Sequence, residues 1–425
     1  GSLFFESVIG EIAVTPELDG SEIVLYDIDA RRMELMRRVG ARVIEKTKTR
    51  LTIRSTRSLP DALDGTDYAI ASIGVHGPGQ AWHKIDTDTV ARFGIIQTTG
   101  DTVGPSGLSQ GLRIVPIFVD IARQMEKYCP DAVLLNHSNP MSVVCRAVNK
   151  YSRIPAIGYC HNVAGALYYF ARVLEVNRED LDATAVGPNH CVWLLGLTHK
   201  GRDIYPELKR RILSRPPEPR QSFARDFLER FDYFPIGGDR HIIEFFPHAR
   251  RATRTKKIPY GLQWRSDMIR QNLLKRELNK EPAEIELKAA GKKDVYIPEQ
   301  LSPEAMGQQV RALEYGPGKI HVVNIPNRGA VPNLPDWGVI ELKALVGPGV
   351  ARPIVLGELP PQLARWSAAQ LFAHELTVDA AVEQSRAKAL MALSGDPMIR
   401  DFEEARRVFD AMVQAQGARM KAFRK

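Results

Sequence analysis

The chain has 425 residues and a formal net charge of +8. Its 44% hydrophobic and 25% charged residues are ordinary for a soluble globular protein, and its length exceeds what one compact core usually holds. No apolar run nears the roughly 20 residues that cross a bilayer and no signal peptide is visible, so a cytoplasmic protein without membrane partners is expected.

The chain opens on Gly1-Ser2, which is either an expression scar or the tail of a glycine-rich turn whose first strand lies outside this chain. A helix pattern follows, then "EIVLYDID", a strand ending in Asp27 and Asp29. In a dinucleotide fold an acid about 20 residues after the glycine turn holds the adenosine ribose, and a carboxylate there favours NAD over its phosphorylated form. "ARRMELMRRVGA" reads as a helix closed near Gly40, and "DYAIASIGV" as a buried strand. "TTGDTVGPSG" is a glycine-rich loop holding Asp101, and "GLRIVPIFVDIARQMEKYC" is a helix stopped by Pro130. The strand "AVLLNHSNP" ends in Asn136 and Asn139, which either bridge cofactor and substrate or make a simple asparagine turn. "MSVVCRAVNKYS" is a helix, "AIGYC" a strand and "NVAGALYYFARVLEV" a helix. This alternation predicts a parallel sheet covered on both faces, over residues 1–190.

From about residue 191 the pattern changes. "HCVWLLGLTHKGRDIYP" is a strand pair turning at Lys200-Gly201. "KIHVVNIPN" and "WGVIELKALV" are strand-like, and the chain ends in two helices, "WSAAQLFAHELTVDAAVEQSRAKALMAL" and "MIRDFEEARRVFDAMVQA". A second, α+β domain over 191–425 is expected. The basic stretch "HARRATRTKKIPYGLQWR" into "LLKRELNK" lacks an aromatic interleave, so it reads as a solvated segment, not a nucleic-acid surface. The four cysteines, Cys129, Cys145, Cys160 and Cys191, show neither CxxC nor framework spacing, as in a reducing compartment.

Two dipeptides carry most of the chemistry. Cys160-His161 and Asn189-His190 each end an apolar run, "IPAIGYCH" and "ATAVGPNH". Alone, Cys160 reads as a buried structural cysteine and His190 as a core histidine. Together, if the runs are neighbouring strands, a soft sulfur and an imidazole meet at one sheet rim as ligands for a transition metal. His161 then stands beside the metal as an acid or base. "PIGGDRHIIEFFPH" gathers Asp239, Arg240, His241 and Glu244 within six residues, a second candidate site, although each acid, like Asp101, would alone read as a loop cap. No HExxH, GxSxG or GxxxxGK[ST] motif is present, which leaves zincin, serine hydrolase and nucleoside triphosphatase readings without support.

The series "LYDID", "GDTVGPSG", "NHSNP", "GYCHNV", "GPNHCVWL", "IPNRGAVPNLPDWGVIEL" and "HELTVDAAV" resembles glycoside hydrolase family 4 along essentially the whole chain. The resemblance implies an NAD-binding Rossmann domain with an α+β C-terminal domain on a lactate/malate-dehydrogenase-like scaffold. It implies NAD, Mn2+ or another divalent metal, a small carbohydrate substrate, and a homodimer or homotetramer. The implied reaction is oxidation at carbon 3 by NAD, loss of the carbon-2 proton, departure of the aglycone, addition of water and return of the hydride; the family is an exception to two-carboxylate glycosidase chemistry. Cys160 and His190 would bind the metal; Gly1, Ser2, Asp27 and Asn139 the cofactor; and Asn139, Asn189 and Arg240 the substrate. His161 after the metal cysteine implies an unphosphorylated α-glycoside. Phe245 stands where many members carry a tyrosine base, so Asp239 is the expected base, with Asp101 assisting and His241 next in line. The "GDRHIIEFFPH" segment is most similar to the α-galacturonidase branch, where Arg240 would either pair with a uronate carboxylate or hold a neighbouring acid. Neutral α-glucosidases or α-galactosidases, an NAD-dependent hydroxy-acid dehydrogenase and a non-catalytic NAD sensor are the alternatives.

Overall fold

Apolar runs that end in acids or in asparagine-rich turns become the strands whose carboxyl ends carry the polar residues. A computed structural model of the chain describes residues 3–75, 80–247, 258–271, 278–301 and 305–424. Gly1 and Ser2 lie outside the described residues, as does most of the basic stretch. The strands are β1 Glu22–Tyr26, β2 Thr52–Thr56, β3 Tyr68–Ala71, β4 Val133–Asn136, β5 Ala156–Gly158, β6 Leu181–Val186, β7 Val192–His199, β8 Arg202–Asp203, β9 Phe234–Ile236, β10 Lys319–Pro326, β11 Val339–Gly347 and β12 Val350–Pro353.

β1 and β2 pair parallel as a two-stranded sheet. β3, β4 and β5 run parallel, and β10, β11 and β12 extend them antiparallel into a six-stranded sheet. A further sheet holds β6, β7, β8 and β9, all antiparallel. This is the expected α/β scheme, a Rossmann-type parallel sheet joined to an α+β part. The largest apolar cluster spans both, with Leu135 and Ile157 from the first part and Trp193, Ile340 and Leu342 from the second. The six-stranded sheet crosses residue 190, and β6, although it precedes that residue, pairs in the other sheet.

Three expectations change. The helix Ala30–Thr47 runs through Gly40 without stopping. Gly40 faces β2 so closely that a Cβ would stand 2.4 Å from Ile53 Cδ1, so this glycine serves helix–sheet packing and not termination. The long C-terminal helix is two, Pro361–Glu383 and Arg386–Ser394. Gln384 turns left-handed (φ 55°) and Ser385 caps the second helix by accepting from Lys388 N at 3.3 Å. Third, the runs ending at Cys160 and His190 are β5 and β6, which belong to different sheets. They meet because Gly187 bridges Glu341 of β11 by two main-chain hydrogen bonds, 2.7 and 3.2 Å. No helix among the described residues is long and apolar enough to cross a membrane, and the four cysteines are free thiols.

Candidate active site

Polar residues from five segments converge beyond the strand ends. The loop before the helix Gly104–Tyr128 supplies Asp101, the turn after β4 supplies Asn139, the end of β5 supplies Cys160 and His161, the turn after β6 supplies Asn189 and His190, and the short helix Asp239–Ile242 after β9 supplies His241. The carboxyl end of a parallel sheet leaves such a crevice open to ligands.

Asp101, His190 and His241 bring one donor atom each to within 4.8 Å of one another. The His190 and His241 rings lie 4.1 Å apart between centroids, and His241 Nδ1 is 3.5 Å from Asp101 Oδ1. Asn139 donates to Asp101 Oδ2 at 3.4 Å. Burial works to raise the Asp101 carboxyl, but the His241 ring and the Thr102 hydroxyl more than offset it, holding Asp101 well below the usual carboxylate range. Burial, with the His241 ring, pushes His190 down to about 3. At neutral pH the pair is therefore a carboxylate and a neutral imidazole, the protonation states that bind a cation.

His190 is held in strain. It has φ 65°, rare for a residue with a side chain. Gly237, at the end of β9, sits against its backbone; a Cβ there would stand 2.3 Å from the His190 carbonyl oxygen. The β7–β9 pairing, Val192 with Ile236, locks this approach.

The Asp101 loop is held on both its amide and its carbonyl side. The buried Glu244 carboxylate accepts from the main-chain N–H of Thr98 (2.6 Å), Thr99 (2.8 Å) and Gly100 (3.0 Å). On the carbonyl side, His83 meets Thr99 O at 2.8 Å and Gln110 Nε2 donates to Gly100 O at 2.7 Å. The Thr98 and Thr99 hydroxyls donate to the Arg240 carbonyl, tying this loop to the segment that carries His241. Glu244 is thus a loop anchor, the alternative that the sequence left open for the acids of this cluster.

The remaining expected residues divide. Cys160 lies within hydrogen-bond reach of the Asn189 side chain and in the field of Asp101 and Glu341, and burial pushes its thiol up; it is not one of the three converging donors. Asn189 Nδ2 donates to the buried Glu341 at 2.8 Å, which turns its Oδ1 away; that oxygen and Asn139 Oδ1 are buried without a partner among the described residues. His161 is exposed at the start of the helix Asn162–Leu174. Asp27 closes β1 and accepts from Asp29 N at 2.9 Å. Asp239 does not join the site. Its two oxygens accept from Phe223 N (2.8 Å) and Ala224 N (3.0 Å), so it satisfies the open N–H groups of the helix Ser222–Phe231. Asp239 is not one of the three converging donors, and its contacts assign it to this helix start, so its position lends the expected role as base no support. Phe245 is buried in the main apolar cluster. Arg240 is half-buried and in the field of His190, and its guanidinium makes no hydrogen bond or ion pair among the described residues.

The family description "Family 4 glycosyl hydrolase" matches residues 1–176, and that of its C-terminal domain matches 185–399. The chain belongs to glycosyl hydrolase family 4. Relatives of this family 4 chain include an α-galactosidase from Bacillus subtilis, 29% identical over 93% of this chain and 90% of its own length. An α-galacturonidase from Thermoanaerobacter italicus is 27% identical over 95% and 92%. Among solved structures, a 6-phospho-α-glucosidase from gut microorganisms in complex with NAD and Mn2+ superposes with a TM-score of 0.82 at 23% identity, covering 98% of this chain and 96% of that one. At that identity the likeness shows the fold. The family 4 chain is thus a glycoside hydrolase.

Proposed function

We propose that this glycoside hydrolase cleaves unphosphorylated α-glycosides, with α-galacturonides as substrates, and uses NAD and a divalent metal, manganese for preference. The observation that carries the substrate is Arg240. A half-buried guanidinium beside His190, with no carboxylate partner among the described residues, suits a bidentate contact to a uronate. The α-galacturonidase relative adds support.

The residues fit the two bound groups. His190 is neutral and Asp101 ionised, and Cys160 stands alongside; these three would hold the metal. Asp27, at the carboxyl end of β1, would take the adenosine ribose of NAD, as an acid at this place does in dinucleotide folds. When bound, NAD and the metal supply reversible hydride transfer and polarisation of the sugar oxygens. The chain supplies positioning and proton transfer. Asn139 Oδ1 and Asn189 Oδ1 offer acceptors to sugar or ribose hydroxyls. His241, oriented by Asp101 at 3.5 Å, accepts the carbon-2 proton in place of the absent tyrosine. The exposed His161 protonates the departing aglycone oxygen. Assembly as a homodimer or homotetramer in the cytoplasm completes the reading.

The test is turnover of p-nitrophenyl α-galacturonide and α-galactoside in deuterated water with NAD and manganese. The galacturonide is expected to release aglycone with deuterium at carbon 2 of the product. Arg240→Gln is expected to lower kcat/KM for the galacturonide by about 100-fold, the loss of one charge-assisted pair, and to leave the galactoside within about threefold. Equal losses on both sugars would overturn the uronate assignment and favour the neutral galactoside, the substrate class of the Bacillus subtilis relative. Release without deuterium would overturn the elimination. NADH accumulating with a hydroxy acid would mark a dehydrogenase, and tight NAD binding without turnover a sensor. Cys160→Ser is expected to abolish manganese-dependent turnover.

A further inference from the structure

One hydroxyl stands between two site residues. Thr102 Oγ1 is 2.8 Å from Asp101 Oδ1 and 2.8 Å from His190 Nδ1. A threonine hydroxyl has a single proton to donate, and an ionised carboxylate can only accept. The proton therefore goes to Asp101. Thr102 then has only lone pairs left for His190, so Nδ1 must carry the imidazole proton. In a neutral ring this leaves the lone pair on Nε2. Among the described residues Nε2 receives no hydrogen bond, so it stays available.

Thr102 cannot easily turn away from this duty. It is 6% exposed. Gly107, in the first turn of the following helix, lies so near that a Cβ there would stand 2.6 Å from the Thr102 carbonyl carbon. The next residue, Val103, is fixed through its carbonyl, which accepts from Gln97 Nε2 at 2.9 Å and from Gly107 N at 3.2 Å.

We infer that Thr102 is a positioning residue that selects the Nδ1–H tautomer of His190 and so presents Nε2 to the divalent metal. The same hydroxyl, on a residue 88 positions from His190, couples His190 to Asp101, so two ligands from distant segments are set by one side chain. The inference rests on the metal reading above for its consequence, but the tautomer can be read without metal. Outer partners that fix a ligating histidine are commonly worth about 10–100-fold in metal affinity.

The experiment uses the full chain, metal-free, with 15N-labelled histidine and long-range 1H–15N correlation; the His190 signals are identified by their loss in His190→Gln. The wild type is expected to show Nδ1 protonated and Nε2 bare. Thr102→Val, which keeps the shape and removes the hydroxyl, is expected to show the other tautomer or a mixture, and to bind Mn2+ about tenfold more weakly in an EPR titration. Thr102→Ser is expected to restore both. A wild-type proton on Nε2, or a Thr102→Val protein with unchanged tautomer and unchanged Mn2+ affinity, would overturn the inference. Unchanged Mn2+ binding by His190→Gln would overturn the metal reading alone, and the nitrogen spectrum would still decide the tautomer. If Thr102→Val does not fold, the wild-type and Thr102→Ser spectra decide it.

Discussion

Asp239 and His241 are two positions apart and face different chemistry. The Asp239 carboxylate is spent on helix N–H groups, and burial pushes it up while those donors pull it back. His241 lies against Asp101 and His190. Their replacements should therefore separate stability from rate. Asp239→Asn is expected to cost about 1–2 kcal/mol in thermal unfolding, the loss of a charge at a helix start, with kcat nearly unchanged. His241→Gln is expected to leave the unfolding midpoint in place and to lower kcat by about 10²–10⁴, the usual worth of a positioned base. A kcat loss in Asp239→Asn without destabilisation would return the base to Asp239. The apolar runs before Asn139, Cys160 and His190 were legible in the sequence, and the structure puts each of these residues just beyond a strand end. The sequence could not rank Asp239 against His241, since what decides is a pair of amides at Phe223 and Ala224, 16 and 15 residues upstream. That contact is made by the fold and leaves no local pattern.

Elements explain why the site is stiff although much of it is loop. Residues 98–101 carry no strand or helix pairing, yet the amides of Thr98, Thr99 and Gly100 are taken by Glu244 and the carbonyls of Thr99 and Gly100 by His83 and Gln110. A buried loop needs such partners for its main-chain groups. Glu244 belongs to the single turn Ile243–Phe245, which continues directly from the short helix Asp239–Ile242 that carries His241, so the stretch supplying His241 also holds Asp101 in place. Glu244→Gln replaces an acceptor-only group by an amide, which must turn an N–H toward one of the donors. The expected result is a loss of about 2–3 kcal/mol, from the weakening of charge-assisted bonds, and faster hydrogen exchange at Thr98, Thr99 and Gly100. Unaltered exchange at these amides would remove the anchoring role. The strand and helix alternation was legible from periodicity. The joining of β5 and β6 across two sheets was not, because it depends on Gly187 meeting Glu341, 154 positions later, where a Cβ on Gly187 would sit 2.2 Å from the Cys191 carbonyl oxygen.

The whole molecule keeps several histidines neutral in its interior, and this sets its response to acid. Burial pushes His190 to about 3 and His137, His321 and His374 each to about 4. They come from widely spaced segments: the turns after β4 and β6, the strand β10 and the helix Pro361–Glu383. In the unfolded chain a histidine takes its proton near pH 6.5. Between about pH 6.5 and 4 the unfolded state therefore binds more protons than the native state, and stability rises with pH across that interval. Read downward, the contribution is complete above about pH 6.5 and is lost as pH falls toward 4. Asp101, held below the usual range, extends the loss to lower pH, because its contribution is present above about pH 4 and disappears as the carboxyl protonates. His374 offers the cleanest test, since burial alone lowers it and both its ring nitrogens are buried without partners among the described residues. His374→Leu is expected to reduce the drop in urea midpoint between pH 7 and pH 4.5, and to do so with no change at pH 8 larger than the packing difference between the two side chains. Parallel pH profiles for the variant and the wild type would show that His374 takes its proton at the same pH in the native and unfolded states and that burial does not govern its acid response.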